Sequence, residues 1–317
     1  MMMPEKNMTQ KGVFDARVRW NRQITGRFHK LALEFSGPGA VAMSQCRPGQ
    51  FVELDLGAAA LPPADKIPGE LSDCAGQNLL LRRPFSPCDI TKEADKTLVE
   101  LLYCVVGPAT LRMTTLSPGN TVSVIGPLGN GFSVPASKTT ALLVAGGMGA
   151  PPLLHLAKTL TTEHPQMQVV AFAGAKTAND LPFEKRLDRI AQDLGFSIQE
   201  FAKFGIESLI ATDDGSAGFH GLVTDCLLNW LTEHKPLANS LVIYACGPEP
   251  MLAKVAEITR QKSIECQVSM ERLMACGIGV CQSCAVECRA DGSNETIYKL
   301  CCKDGPVFDV SKVIFKS

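Results

Sequence analysis

Met270–Cys288 reads MERLMACGIGVCQSCAVEC, and Lys299–Phe308 reads KLCCKDGPVF. Cys276, Cys281 and Cys284 are spaced C-x4-C-x2-C, and a fourth cysteine, Cys301 or Cys302, follows after a longer gap. This is the plant-type ligand spacing for a [2Fe–2S] cluster. Four thiolates must converge on two irons. Three can come from one tight loop only if its backbone can curl around inorganic sulfide. Gly277 and Gly279 supply that freedom, because glycine reaches positive φ at little cost.

Two other uses of these cysteines compete. A disulfide framework belongs to secreted chains, and nothing marks this one as secreted. Zinc also accepts four thiolates, but structural zinc sites pair two short Cys-x2–4-Cys hairpins. Here three cysteines share one glycine-rich loop. Cys288 and whichever of Cys301 and Cys302 is left over read as small buried apolar residues.

Working outward, 317 residues suggest two or three domains. Apolar residues make up 45%, enough to bury several cores, and the net charge of −1 argues against a nucleic-acid binder. The first residues, MMMPEKNMTQKG, are polar, with no apolar signal segment expected, and residues 1–10 read as a disordered tail. The longest apolar run, Ala141–Leu156, is broken by Gly146, Gly147, Gly149, Pro151 and Pro152, so no membrane span is expected. The expectation is a cytoplasmic protein whose 13 cysteines stay reduced.

From Val13 the chain alternates in strand fashion through Trp20, again over His29–Phe35, and again over Pro48–Leu54. Short strands with Gly/Pro turns predict an antiparallel β-barrel over 11–136. Residues 57–79 lack a period and read as a long surface loop. Then come Leu81-Arg82-Arg83-Pro84-Phe85-Ser86, the segment Leu102-Tyr103-Cys104-Val105-Val106-Gly107-Pro108-Ala109-Thr110, and Gly126–Phe132.

From Thr139 strands and helices alternate. Ala141–Ala145 is a continuous apolar run of the kind buried on both faces of a parallel sheet. It enters Gly146-Gly147-Met148-Gly149-Ala150-Pro151-Pro152 and a periodic helix, Leu153–Leu160. Glycines at such a turn let backbone approach a pyrophosphate at a helix N-terminus, although the spacing is not a strict G-x-G-x-x-G. Further strands are expected at Val169–Gly174 and Leu241–Ala245. The second runs into Cys246-Gly247-Pro248-Glu249-Pro250-Met251 and a helix, Leu252–Arg260. Ala211–Asp225 is dense in Asp, Gly and Ser and reads as a loop. His220 within it has no second metal ligand near it and reads as a surface histidine. The pattern predicts an α/β parallel-sheet domain over 137–262 and a small cluster domain over 263–317.

On these segments the chain resembles the ferredoxin–NAD reductase family. Its flavin domain is a six-stranded antiparallel barrel with an R-x-[YF]-S motif, matched here by Arg83, Pro84, Phe85 and Ser86. The resemblance implies FAD, with Arg83 on the pyrophosphate, Phe85 against the flavin and Ser86 near its N5 edge. It places Leu102, Tyr103, Cys104, Gly107, Ala109 and Thr110 in a second FAD-binding segment, the last three at a phosphate-binding helix start. It also implies a nicotinamide site at Gly146, Gly147, Gly149 and the C-G-P-x-x-M segment of Cys246, Gly247 and Pro248. The chain departs from relatives that carry glycine where Ala109 stands and a basic residue where Cys104 stands.

The order of barrel, nucleotide fold and C-terminal cluster segment is similar to that of electron-transfer subunits serving dihydroorotate dehydrogenases of the B type. The residues that carry this are Thr212–Ser216 with Gly218, Gly221 and Val223–Asp225, then Ser269–Arg272, and then Cys302-Lys303-Asp304-Gly305-Pro306-Val307-Phe308. On that match Cys302, not Cys301, is the fourth ligand. The loop at 57–79 and the insertion Arg289–Thr296 depart from the pattern. The resemblance implies a separate FMN-containing catalytic subunit, two copies of each chain in a heterotetramer, and electrons passing from that FMN through [2Fe–2S] and FAD to NAD+ in UMP synthesis. A flavin suits the middle position because it exchanges electrons singly or in pairs. No residue stands out as a catalytic base. The rival enzyme reading is an NAD(P)H reductase subunit of a hydrogenase, a sulfide dehydrogenase or a bifurcating transhydrogenase. A zinc scaffold that has lost its flavin is the rival outside enzymes, and a redox sensor would need an output domain that is not visible. Lys176 would tolerate a 2′-phosphate and Asp180 would resist one, so NAD over NADP comes from the resemblance.

Overall fold

The computed structural model describes residues 11–187, 196–293 and 295–315. The tail expected at 1–10 lies outside them. The first unit is built from β1 (Gly12–Thr25), β2 (Phe28–Ser36), β3 (Phe51–Leu54), β4 (Arg83–Phe85), β5 (Pro87–Glu93), β6 (Lys96–Cys104) and β7 (Thr121–Leu128). They form one antiparallel sheet in the order β4-β3-β7-β1-β2-β6-β5. Its two outer strands, β4 and β5, are consecutive in the chain and break only at Ser86. Counted as one bent strand they give the six expected, and the sheet curls until its edges meet there. Alternation sets the inside: Ala16 and Val18 of β1 are buried while Arg17 and Arg19 face water. Leu31, Leu33, Leu54, Val99, Leu101 and Val124 fill the same core. Helix α1 (Gly37–Ser44) covers it with Ala40 and Met43.

The expected loop at 57–79 is more ordered than its composition suggests. It holds two 3-10 turns, Ala64–Lys66 and Gly69–Leu71, and the short helix α2 (Ser72–Ala75). Leu71 and Ala75 are buried in the barrel core. From α3 (Pro108–Met113), Arg112 donates to the Ala59 and Gln77 carbonyls at 3.1 and 3.2 Å. Elements of three or four residues are too short to print a period on the sequence.

The second sheet contains β8 (Thr140–Gly146), β9 (Gln168–Ala175), β12 (Glu207–Thr212), β13 (Phe219–His220), β14 (Leu241–Cys246), β15 (Glu265–Ser269) and β18 (Val307–Asp309), after a side pair, β10 (Lys185–Leu187) with β11 (Phe196–Ile198). The order is β13-β12-β9-β8-β14-β15-β18, parallel except for the β15–β18 pair. Helices α4 (Ala150–Glu163) and α5 (Gln199–Ala202) pack one face, and α6 (Val223–His234) and α7 (Glu249–Lys262) the other. Strand β8 shows why its sequence is apolar throughout. Leu142 and Val144 join the core under α6 and α7, while Ala141, Leu143 and Ala145 join the core under α4.

The cluster segment does not stand apart as a third core. β15 extends the nucleotide sheet beside β14, and β18 returns against β15. Only β16 (Ala285–Arg289) and β17 (Thr296–Leu300) form a separate hairpin. Cys284, Val286, Cys288, Cys301 and Phe308 share one hydrophobic cluster with Trp230 and Val255. Several polar ties hold the units together. Lys30 of β2 pairs with Glu200 of α5 at 3.0 Å, both buried. Lys158 of α4 pairs with Asp89 of β5 at 2.5 Å. Asn130, just past β7, donates to the Lys303 and Asp304 carbonyls at 3.1 and 3.0 Å.

Candidate cofactor and cluster sites

β3 holds β4 in register, pairing Val52 with Phe85, Glu53 with Pro84 and Leu54 with Arg83. Two adjacent arginines diverge. Arg82 is spent on Ser123, donating to its carbonyl at 2.8 Å and its hydroxyl at 3.0 Å. Arg83 donates only to the Leu81 and Arg82 carbonyls, at 2.7 and 3.1 Å, and meets no carboxylate among the described residues. It is the cation left for an anionic ligand. Phe85 rests on the barrel core. Ser86, at the bend between β4 and β5, is half-buried, and its hydroxyl has no partner among the described residues.

The second FAD segment divides. Tyr103 lies in the barrel core, stacked on His29 at 5.2 Å, and its hydroxyl donates to the Asn21 side chain at 3.1 Å. Leu102 packs toward the nucleotide unit. Cys104 is buried, and desolvation raises its thiol pKa. These three can offer a ligand backbone more readily than side chains. At the helix start the Thr110 hydroxyl accepts from the Val106 and Gly107 amides at 3.0 and 3.2 Å, so those donors are taken. The first-turn amides of Ala109 and Thr110 remain for a phosphate. A Cβ at Gly107 would meet open space.

At the nucleotide site two glycine turns pack on each other at the carboxyl ends of neighbouring strands, where Ala145 pairs with Cys246. A Cβ on Gly146 would lie 2.6 Å from Met251 Sδ, and one on Gly149 would enter the Cys246 carbonyl. The neighbouring turn by itself requires glycine at both positions, a cause additional to the pyrophosphate approach expected from the sequence. Gly147, with φ +51, has open space at its Cβ position and is the one a ligand can approach. Gly247 packs on Gly146, and Pro248 precedes α7 as its cap. Burial pushes the Cys246 thiol up to about 12, offset in part by a hydrogen bond with Ser269. It is a neutral thiol at working pH.

The cluster cysteines form two pairs. Cys276 Sγ accepts from the Val280 and Cys281 amides, each at 3.4 Å. Cys284 Sγ accepts from the Cys302 amide at 3.4 Å, and Cys302 Sγ hydrogen-bonds Cys284 and the Gly279 backbone. Cys301 turns away, donating to the Met270 carbonyl at 3.3 Å from full burial. The outer pair is wet: hydrogen bonds from Ser283, and then from Cys276, lower the Cys281 thiol to about 6. The inner pair is dry, and desolvation raises Cys302 to about 12. Among the described residues no three Cys, His, Asp or Glu side chains close on a single ion. Two pairs held by a loop at positive φ, Gly277 at +64 and Gly279 at +87, fit two irons better than one tetrahedral zinc.

Two residues that carry this arrangement had no role assigned by sequence reasoning. Glu53 of β3 is 1% exposed, has an unpartnered Oε1 and sits against Gly277, so it separates the cluster loop from Pro84 and Arg83. Desolvation raises its pKa, opposed by Arg82 and Arg83 and reinforced by Cys281. Arg272 forks onto Glu249 at 3.0 and 3.2 Å, tying the cluster segment to the first turn of α7. Glu53 had no local motif to signal it, and Arg272 stood out only as the end of the Ser269–Arg272 run. His220 is exposed, as expected, but it stands in the two-residue strand β13 paired with Thr212, so the segment expected as a loop carries a strand and, from Val223, the start of α6.

Comparison with known proteins bears on the same segments. Residues 271–314 match the family model for the iron–sulfur cluster binding domain of dihydroorotate dehydrogenase B, and 143–257 that of the oxidoreductase NAD-binding domain. A dihydroorotate dehydrogenase B (NAD(+)) electron transfer subunit of Geobacillus sp. (strain WCH70) is 38% identical, aligned over 99% of this chain and 100% of its own. One from Bacillus caldolyticus is 37% identical over 92% and 95%. In fold the chain is similar to a structure described for flavin-based electron bifurcation by an NADH-dependent reduced ferredoxin–NADP oxidoreductase. The TM-score is 0.70 at 24% identity, covering 95% and 90% of the two chains.

Proposed function

This chain belongs to the electron-transfer subunits of NAD+-dependent dihydroorotate dehydrogenase B, and on that premise we propose how its residues divide the work. As an oxidoreductase subunit of pyrimidine synthesis it uses FAD, a [2Fe–2S] cluster and NAD. When bound, these groups convert single-electron transfer into hydride transfer. Cys276, Cys281, Cys284 and Cys302 hold the cluster. Arg83 grips the FAD pyrophosphate together with the Ala109 and Thr110 amides, while Phe85 and Ser86 meet the flavin. Gly147 and the Cys246–Pro248 turn receive the nicotinamide nucleotide, with Gly146 and Gly149 shaping their junction. A neutral Cys246 thiol packs beside a nicotinamide without imposing a charge on it.

The partner is a catalytic subunit, which we take to carry FMN and to assemble two-and-two with this chain in the cytoplasm. It docks on the outer cysteine pair. Leu273, Val280 and Ile278 flank that pair and are 91, 73 and 54% exposed, giving it an apolar rim. The observation that carries the reading is the contact of Gly277 with Glu53, because Glu53 pairs with Pro84 of the flavin strand. It leaves the cluster loop separated from that strand by the Glu53 side chain alone. The test is Cys281→Ser in the assembled complex. Reoxidation of the reduced partner by NAD+ falls at least about a hundredfold, a loss of roughly 2.7 kcal/mol, while NADH reduction of an artificial dye persists. Unchanged partner reoxidation with the complex intact ends the proposal.

A further inference from the structure

A second cavity, about 650 Å³, opens between the barrel and the nucleotide unit. Its walls come from the end of α1, from Ile90–Lys92 of β5, and from His155 onward in α4. The dinucleotide turn precedes that helix. Along α4 the cavity wall starts at His155, five residues or about 8 Å beyond Ala150, and runs to the C-terminal end. Its lining includes no residue of the flavin strand β4 or of the Gly146–Gly149 and Cys246–Pro248 turns.

Its chemistry is cationic at the rim and apolar with one polar group within. Arg47 and Lys92 line it, are exposed, and have no carboxylate partner among the described residues. Lys158 lines it too but is committed to Asp89 at 2.5 Å and to the Ile90 carbonyl at 2.7 Å. Glu163 is the one carboxylate in the lining, so the two free cations outweigh it. His155 is 6% exposed, and its Nδ1 has no hydrogen-bond partner. Buried polar atoms of this kind are normally satisfied, so an unpartnered one in a side chain that lines a cavity marks that side chain as a place for a ligand atom or water. Phe132 and Leu156 supply flat apolar wall, and the volume falls in the range of small-molecule sites, too roomy for a lone phosphate.

We infer that this interdomain cavity is a binding site for a mononucleotide-sized phosphate monoester, its phosphate held by Arg47 and Lys92 and its ring lodged against Phe132 with His155 as a hydrogen-bond partner. Burial lowers the His155 pKa to about 4, so the ring is neutral and presents one donor and one acceptor. Because both units wall the cavity, an occupant braces their junction and links its concentration to the stability of the whole chain.

The test uses the holoprotein, with FAD and cluster in place and NAD+ in excess to fill the dinucleotide site. Uridine 5′-monophosphate is one probe, since it lacks the adenine that the dinucleotide site would take, and inorganic phosphate is the other. Calorimetry is expected to show one saturable site for uridine 5′-monophosphate, with phosphate alone at least about tenfold weaker. Arg47→Ser with Lys92→Ser, both on the surface, weakens the nucleotide about tenfold or more and leaves NADH reduction of dye unchanged. The inference is overturned if wild-type protein shows no saturable binding up to about 10 mM, where a site weaker than roughly −3 kcal/mol would no longer count as specific. Equal binding of the two probes, or nucleotide binding that survives the double substitution, overturns it as well.

Discussion

Replacing Gly277 with alanine separates two costs that the cluster loop keeps at zero. The first is conformational. Gly277 sits at φ +64, and an L-residue held there loses roughly 1–2 kcal/mol. The second is steric. The new Cβ would enter the Glu53 carboxylate. A carboxylate at the end of a side chain can often swing away, but Glu53 is 1% exposed and walled by its own sheet. Overpacking of this kind costs about 1–3 kcal/mol. The sum for Gly277→Ala is about 2–5 kcal/mol. Gly279 supplies the control. Its φ is +87, yet a Cβ there would meet only the Lys303 side chain at 3.1 Å, and Lys303 is exposed. Gly279→Ala should therefore cost the conformational share alone. The assay is cluster retention, followed as loss of visible absorbance and of the reduced-state EPR signal during chemical denaturation. Adding Glu53→Ala to Gly277→Ala should return the steric share and leave the conformational one. If Gly277→Ala is no worse than Gly279→Ala, or if Glu53→Ala rescues nothing, the reasoning about this contact is wrong.

Three further outcomes are expected. His155 has its pKa lowered to about 4 by burial, so the unfolded chain binds a proton more readily. Its contribution is intact above about pH 6.5 and is lost as pH falls toward 4, about 3 kcal/mol in all; His155→Gln should flatten that part of the unfolding profile, and parallel profiles would refute the assignment. Lys30→Met strands Glu200, whose Oε2 already lacks a partner, and should cost about 3–5 kcal/mol, whereas Lys30→Met with Glu200→Leu should come close to wild type in denaturant titration. A double variant as unstable as the single one would count against the pair. Cys302→Ser should abolish the visible cluster spectrum while Cys301→Ser preserves it, since Cys301 Sγ is given to the Met270 carbonyl; the reverse result would exchange their roles.

What the sequence disclosed was local. The C-x4-C-x2-C loop, the apolar run at Ala141–Ala145 and the strand-to-glycine-to-helix turn after it each fit within about fifteen residues, and each folds where the pattern placed it. The barrel was legible because alternation such as Ala16/Arg17/Val18/Arg19 repeats in strand after strand. Contacts between distant segments were not. Glu53 meets Gly277 across more than two hundred residues, and His155 owes its unpartnered nitrogen to what fails to reach it. The glycines of the dinucleotide turn carried a signal with a second cause that the sequence did not separate, because a glycine demanded by a neighbouring loop looks the same in sequence as one demanded by a phosphate. The cluster segment was legible as a small C-terminal domain because its cysteines are distinctive, whereas the strands β15 and β18 that join it to the nucleotide sheet are ordinary in sequence.

The clasp between Asn130 and the carbonyls of Lys303 and Asp304 bridges 173 and 174 residues. During synthesis at about 5–20 residues per second, the barrel emerges roughly 9–35 s before the segment that fastens to it. For that interval the glycine turn after β7 has no mate, and the edge that will carry the cluster is open to other chains. A chain interrupted before Lys303 would carry its barrel without this clasp and its nucleotide sheet without β18. Quality control has a sharp feature to detect, since the residues that fasten the barrel follow its Asn130 by 173 and 174 positions.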